Sequence, residues 1–195
     1  FLFNSKINLK NNSLIIDFLD YEKRVGLNSI ILVKGIFNKN SEVKFDLISL
    51  KENNNEILIK GLNLDKNFKV IGIENFKIDY KNNKKILNKF TLVKENSNFV
   101  IEGESFDASR IINNIMDSDE ESSSIFKSLD SNVNIRIKKT YIDEINYINN
   151  INGNVNFDNN KINDLKLEAT FPNKKKINIS IETNNNSETI TKLFS

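Results

Sequence analysis

The feature that most narrows what this chain can fold into is a two-residue period that returns along its whole length. Val43-Lys44-Phe45-Asp46-Leu47 alternates, and Phe90-Thr91-Leu92, Phe99-Val100-Ile101 and Val133-Asn134-Ile135-Arg136-Ile137 repeat the rhythm. Val155-Asn156-Phe157, Leu165-Lys166-Leu167-Glu168-Ala169 and Ile177-Asn178-Ile179-Ser180-Ile181 complete the set. Successive side chains of a strand point to opposite faces, so each run sets apolar residues on one face and mostly Asn, Lys, Asp or Ser on the other. Leu14-Ile15-Ile16 and Ser29-Ile30-Ile31-Leu32-Val33 are apolar on both faces, which predicts local cover or a face-switching bulge. The alternation also breaks between Leu47 and Leu50.

Between the runs lie turn clusters made of Asn: Asn11-Asn12, Asn53-Asn54-Asn55, Asn82-Asn83, Asn96-Ser97-Asn98, Asp158-Asn159-Asn160 and Asn184-Asn185-Asn186. Asn tolerates the left-handed backbone of tight hairpins, so it stands in for Gly. The spacing predicts about eleven or twelve strands of roughly 7–11 residues, a meander. With no helix between neighbours, parallel pairing is not expected. Two segments depart from the period. Ala108, Ile111, Ile112 and Ile115 have helical spacing behind Asp107 as N-cap, predicting a short helix at about 107–116. The acidic, Ser-rich stretch 117–124 then reads as a loop, and Ser187 to Phe194 as the start of a second short helix at about 187–195. The expected fold is mainly β: an elongated, twisted antiparallel meander forming an open apolar groove.

Composition bears on whether that groove is open. Hydrophobic residues are 38% of the 195, below the usual ~45–50%, which suits a sheet with one wetted face. A closed sandwich or barrel would ask for more apolar residues and more corner glycines than the six present, yet the pattern alone leaves that alternative open. The net charge is +2 from 28 basic and 26 acidic residues, with lysines scattered rather than striped, so no nucleic-acid partner is expected. No run approaches the ~18 apolar residues of a membrane-spanning helix. The chain opens on Phe1-Leu2-Phe3 without Met and stops inside the second expected helix. It therefore reads as a piece of something longer, with any leader or anchor outside it.

The chemistry-bearing residues are few. There is no His and no Cys, which removes the commonest general bases, nucleophiles and transition-metal ligands. Ser124-Ile125-Phe126-Lys127 fits the S-x-x-K of serine β-lactamases, but the Ser follows a polar loop and Tyr141 stands where K-T-G needs its Gly. Asp117, Asp119, Glu120 and Glu121 lack the spacing and Gly turn of a calcium loop. No enzyme, cofactor or metal is expected. The expected site is the apolar face itself: Val43, Phe45, Leu47, Phe90, Leu92, Phe99, Ile101, Val133, Ile135, Ile137, Val155, Phe157, Ile177, Ile179 and Ile181.

Gly103-Glu104-Ser105-Phe106-Asp107-Ala108-Ser109-Arg110-Ile111-Ile112 resembles the G-x-S-[FL]-D strand-to-helix step of the AsmA-like and DUF3971 C-terminal regions, found in the AsmA, TamB and YhdP groups of envelope proteins. The strand Val133 to Ile137, the G-x-[VL]-x-[FY] strand Gly153-Asn154-Val155-Asn156-Phe157, and Ile177 to Ile181 follow in the family's order. The resemblance covers roughly residues 99–194, with 1–98 sharing only the strand pattern. Ser187 to Phe194 stands where the family has a D-A-G-x-L-L helix, without its Gly. The resemblance implies one continuous section, 1–98 and 99–195 together, of a repeating β-groove lipid-transfer protein. It implies a periplasmic location in a Gram-negative envelope, anchored to the inner membrane by a segment outside this chain. Its partners would be phospholipid acyl chains and inner- or outer-membrane envelope proteins, and its role lipid transport for outer-membrane assembly. The alternative is a non-enzymatic structural or interaction β-module, an adhesin or assembly scaffold with a closed core.

Overall fold

The computed structural model describes residues 1–38, 42–110, 112, 130–183 and 189–194. Its strands in chain order are β1 (Leu2–Asn8), β2 (Leu14–Ile16), β3 (Tyr21–Lys23), β4 (Ser29–Phe37), β5 (Val43–Glu52), β6 (Asn55–Leu64), β7 (Val70–Gly72) and β8 (Asn75–Lys81). Then follow β9 (Leu87–Glu95), β10 (Asn98–Asp107), β11 (Ser131–Tyr141), β12 (Tyr147–Asp158), β13 (Lys161–Thr170), β14 (Lys176–Thr183) and β15 (Thr189–Phe194). One 13-stranded sheet runs β1-β4-β5-β6-β8-β9-β10-β11-β12-β13-β14-β15, with β7 beside β6, and β2-β3 form a separate hairpin. The sheet is not closed into a barrel. It is the expected mainly β meander, and Asn takes left-handed turn positions at Asn53, Asn96, Asn159 and Asn160, while Lys85, Lys174, Asp20 and Phe68 take others.

Three expectations need correction. First, β10 and β11 pair in parallel, Phe99 beside Val133 and Ile101 beside Ile135. The chain between them, residues 108–130, is longer than the dozen or so residues a parallel crossover needs. Second, Thr189–Phe194 is a strand, not a helix, and pairs antiparallel with β14. Its Thr-Ile-Thr start is β-branched and stiff at χ1, and an open sheet edge offers it a full ladder of hydrogen bonds. Third, Leu47 is not on the apolar face, for the reason given below. The helix expected at 107–116 begins as expected: Ser109, Arg110 and Ile112 are helical, Ile112 N–H donates to Ala108 O (3.0 Å), and Asp107 Oδ1 accepts from Ser109 N–H (3.0 Å). The rest of that helix, the acidic stretch 117–124 and the S-x-x-K residues lie outside the described residues.

The excursion between β1 and β4 supplies the local cover expected around Leu14 to Ile16. Residues 9–28 leave the sheet at the end where β1 stops and β4 starts, and fold back over one face. Leu19 and Tyr21 from this excursion bury with Leu50, Ile57, Ile78 and Tyr80 of the sheet, while Leu9, Leu14, Ile16, Ile31, Phe76, Phe90 and Phe106 pack around them.

Candidate functional site: the apolar face

The pairing register decides which side chains share a face, because residues directly opposite one another on neighbouring strands project the same way. Ile31 lies opposite Leu50, Leu50 opposite Ile57, Ile57 opposite Ile78, and Ile78 opposite Phe90. Leu92 lies opposite Ile101 and Ile101 beside Ile135; Phe99 lies beside Val133, which faces Val155, which faces Leu165, which faces Ile181. Ile137, Phe157, Ile177 and Ile179 join this face by alternation along their own strands. Fourteen of the fifteen residues expected on one apolar face are thus brought together, and Leu47 is not.

The exception has a local cause. Between β4 and β5 the register slips, Lys34 pairing with Leu47 but Gly35 with Phe45. The extra residue, Asp46, resets the alternation, so Val43 and Phe45 share a face with Ile48 and Leu50, and Leu47 turns to the other side. Gly61 on β6, at φ +61°, lies abreast of the bulge. The broken alternation between Leu47 and Leu50 was the sequence signal for this bulge, and it keeps the apolar face continuous.

Aromatic contacts run along the face. Phe3 meets Phe45 edge-on at 5.7 Å, Phe76 meets Phe90 at 5.9 Å, and Phe90 meets Phe106 at 5.2 Å. Exposure varies along it. Ile78 and Tyr80 under the hairpin are sealed, Val43, Val133, Ile137 and Val155 are buried, and Phe45, Leu92, Phe99, Ile101, Ile135, Ile177, Ile179 and Ile181 keep part of their surface in contact with solvent.

Polar bonds fasten the hairpin down. Tyr21 Oη donates to Glu52 and Tyr80 Oη donates to the Leu19 carbonyl, and the two rings cross edge to face at 5.2 Å. Burial pushes both phenols well above the usual tyrosine range, with the Glu52 bond adding for Tyr21 and the Asp20 and Asp107 charges adding for Tyr80. Lys23 is fully buried and donates to the carbonyls of Leu9, Lys10 and Asn12, closing the excursion on itself. At the rim Arg110 Nη2 bonds Asp20 (2.6 Å), and Asn82 Nδ2 bonds Asp20 and Asp107 (3.2 and 2.8 Å). Arg110 Nη1 also donates to the Asp17 carbonyl (2.5 Å), 93 residues away in the chain, and such separations are why sequence reading missed this clamp.

The opposite face carries the charges, matched across strands, with Ile30, Leu32, Leu47 and Leu58 between them on β4 to β6. Lys77 and Lys51 both reach Glu56 (2.7 and 3.2 Å), Lys89 reaches Glu104 (3.2 Å), and Arg136 reaches Glu102 (2.7 Å). The Lys77 bond, then that of Lys51, holds the Glu56 carboxyl below its usual range. A shallow trough of about 830 Å³ lies over β8 to β12, with Lys89, Val93, Val100, Glu102, Arg136 and Asn152 among its walls. This hollow on the polar side was not anticipated. Among the described residues, no three acidic side chains converge to hold a metal ion. No family model, curated protein or solved structure matches the chain.

Proposed function

We propose that the apolar face carries lipid acyl chains, the chain serving as a periplasmic section of an AsmA-like protein that passes phospholipid between inner and outer membranes. The observation that carries this reading is the continuity of the face. Large aliphatic and aromatic side chains follow one another from Val43 on β5 to Ile181 on β14 in an unclosed sheet, and many remain part-exposed. So long a strip of part-exposed apolar side chains on an unclosed sheet has a use as a binding surface. Burying an acyl chain recovers about 0.8 kcal/mol per CH₂, or on the order of 11 kcal/mol for some 14 methylenes. A bilayer offers nearly the same, so exchange between bilayer and sheet is close to neutral and a lipid can slide without being trapped. The headgroup stays in water and asks for no specific polar ligand, in keeping with a polar face whose charges pair among themselves.

The test is photo-crosslinking from a reactive residue at Phe45, Ile135 or Ile179 in cells or with added phospholipid. Capture of phospholipid from these positions, and not from Lys44 or Arg136 on the polar face, is the expected result. Capture from Lys44 and Arg136 alone would sink the reading.

A second reading, a structural β-module with a closed core, is favoured by one observation: the excursion's Leu19 and Tyr21 seal four residues of the apolar face, Leu50, Ile57, Ile78 and Tyr80, as an ordinary core does. It predicts no co-purifying lipid and a compact outline in small-angle scattering.

A further inference from the structure

We propose that the turn between β6 and β7 is an interfacial anchor that seats this end of the sheet on an anionic bilayer surface. The turn, Asp65 to Lys69, is tightly built. Asp65 N–H donates to Lys69 O (2.9 Å), Phe68 N–H donates to Asp65 O (2.9 Å), and Asp65 Oδ1 accepts from both Asn67 N–H and Lys69 N–H (2.9 Å each). This frame fixes Phe68 at φ +60°, in the left-handed region, with 71% of its surface exposed.

That placement is unfavourable twice over. A bulky residue is disfavoured at positive φ; the other non-Gly residues there among those described are five Asn, Asp20, Lys85 and Lys174, all polar, and Phe68 alone is apolar. A phenyl ring held in water also gives up the free energy its burial would bring. An observed backbone outlier carrying an exposed ring is the kind of feature from which function is inferred.

The surroundings name the occupant. Phe37 at the end of β4 and Ile71 on β7 are each 45% exposed at the same end of the sheet. The pairs Phe37–Val43, Val43–Leu64 and Leu64–Val70 set Phe37 about three strand spacings from β7, roughly 14 Å. Lys66, which is exposed, and Lys69 flank Phe68, while the one acid of the turn, Asp65, is buried with its carboxylate bonded to the turn's own amides. Apolar tips between lysines are the composition that inserts at an anionic headgroup layer. At the opposite end Ile145 is 82% exposed but follows Asp143 and Glu144, charges that such a surface repels. The hairpin lies over the apolar face at that opposite end and leaves the Phe68 end without it. The anchor rests on the lipid-carrying reading for its purpose, though its test does not.

The test is co-flotation of the 195-residue chain with vesicles of phosphatidylcholine alone, or with about a quarter phosphatidylglycerol. The wild type should float with the phosphatidylglycerol vesicles and far less with the neutral ones. Phe68→Asn, which suits the turn better, should keep or raise the unfolding midpoint yet lower vesicle affinity about tenfold. Ile145→Asn should bind as the wild type does. Wild-type-like flotation of Phe68→Asn, equal binding to both vesicles, or no binding at all would overturn the proposal. Failed crosslinking from Phe45 with Phe68-dependent flotation would remove the carrier reading and leave the anchor, and the reverse pattern would remove the anchor alone.

Discussion

Tyr21 and Tyr80 bring the hairpin and the sheet together with two hydroxyls, and their protonation sets an alkaline limit on the fold. Both phenols are raised above the ordinary value of about 10, chiefly by burial. The folded state therefore keeps protons that the unfolded chain releases above that pH. The stabilisation is complete below pH of about 10 and is lost as pH rises past it. Unfolding midpoints measured between about pH 8 and 11 should fall steeply near the top of that range. In Tyr21→Phe/Tyr80→Phe the fall should flatten, although the variant is less stable at neutral pH by about 1–3 kcal/mol because Glu52 and the Leu19 carbonyl lose their donors. An unchanged alkaline slope in the double variant would remove the tyrosines from the account.

Single strands were the easiest elements to read, and the glycines between them show how backbone geometry enters. Gly103 lies opposite Phe90 at the bulge in β10, where a Cβ would sit 2.5 Å from Phe90 Cβ and 2.8 Å from the Lys89 carbonyl oxygen. Gly153 is tighter still, against the backbone of Lys166 and Leu167. These strands approach so closely that only hydrogen fits. Gly103→Val should cost about 3 kcal/mol or more in chemical denaturation, beyond the penalty of a surface substitution. An effect below about 0.5 kcal/mol would mean that β9 and β10 can separate freely. The helix expected at 187–195 failed at this scale. Eight residues with a capping Ser carry too little local preference to outweigh an open sheet edge, whereas the start at Asp107 had a side chain able to hold it.

Across the whole molecule, the two readings of the apolar face separate in stability measurements. Ile78 is sealed under the hairpin, so Ile78→Ala should cost about 2–5 kcal/mol. Ile135 sits on the same face further along and remains part-exposed, so Ile135→Ser should cost under about 1 kcal/mol while weakening lipid capture from Ile101, its partner on β10. If the face were the inside of a closed core instead, Ile135→Ser would destabilise nearly as much as Ile78→Ala, and that outcome favours the scaffold.

The period-two pattern and the Asn turns determined the strand content, the meander and fourteen of the fifteen residues on the apolar face, because alternation and hairpin chemistry are local. Even the bulge at Asp46 left its mark, as a broken alternation whose direction only pairing could reveal. Tertiary structure decided the parallel join of β10 and β11, the strand at Thr189–Phe194, the hairpin over one end of the face and the hollow on the polar side. Each depends on which distant segments meet: Tyr80 and Leu19, or Arg110 and Asp17, come together through the fold of the whole sheet, and no local spacing records that meeting.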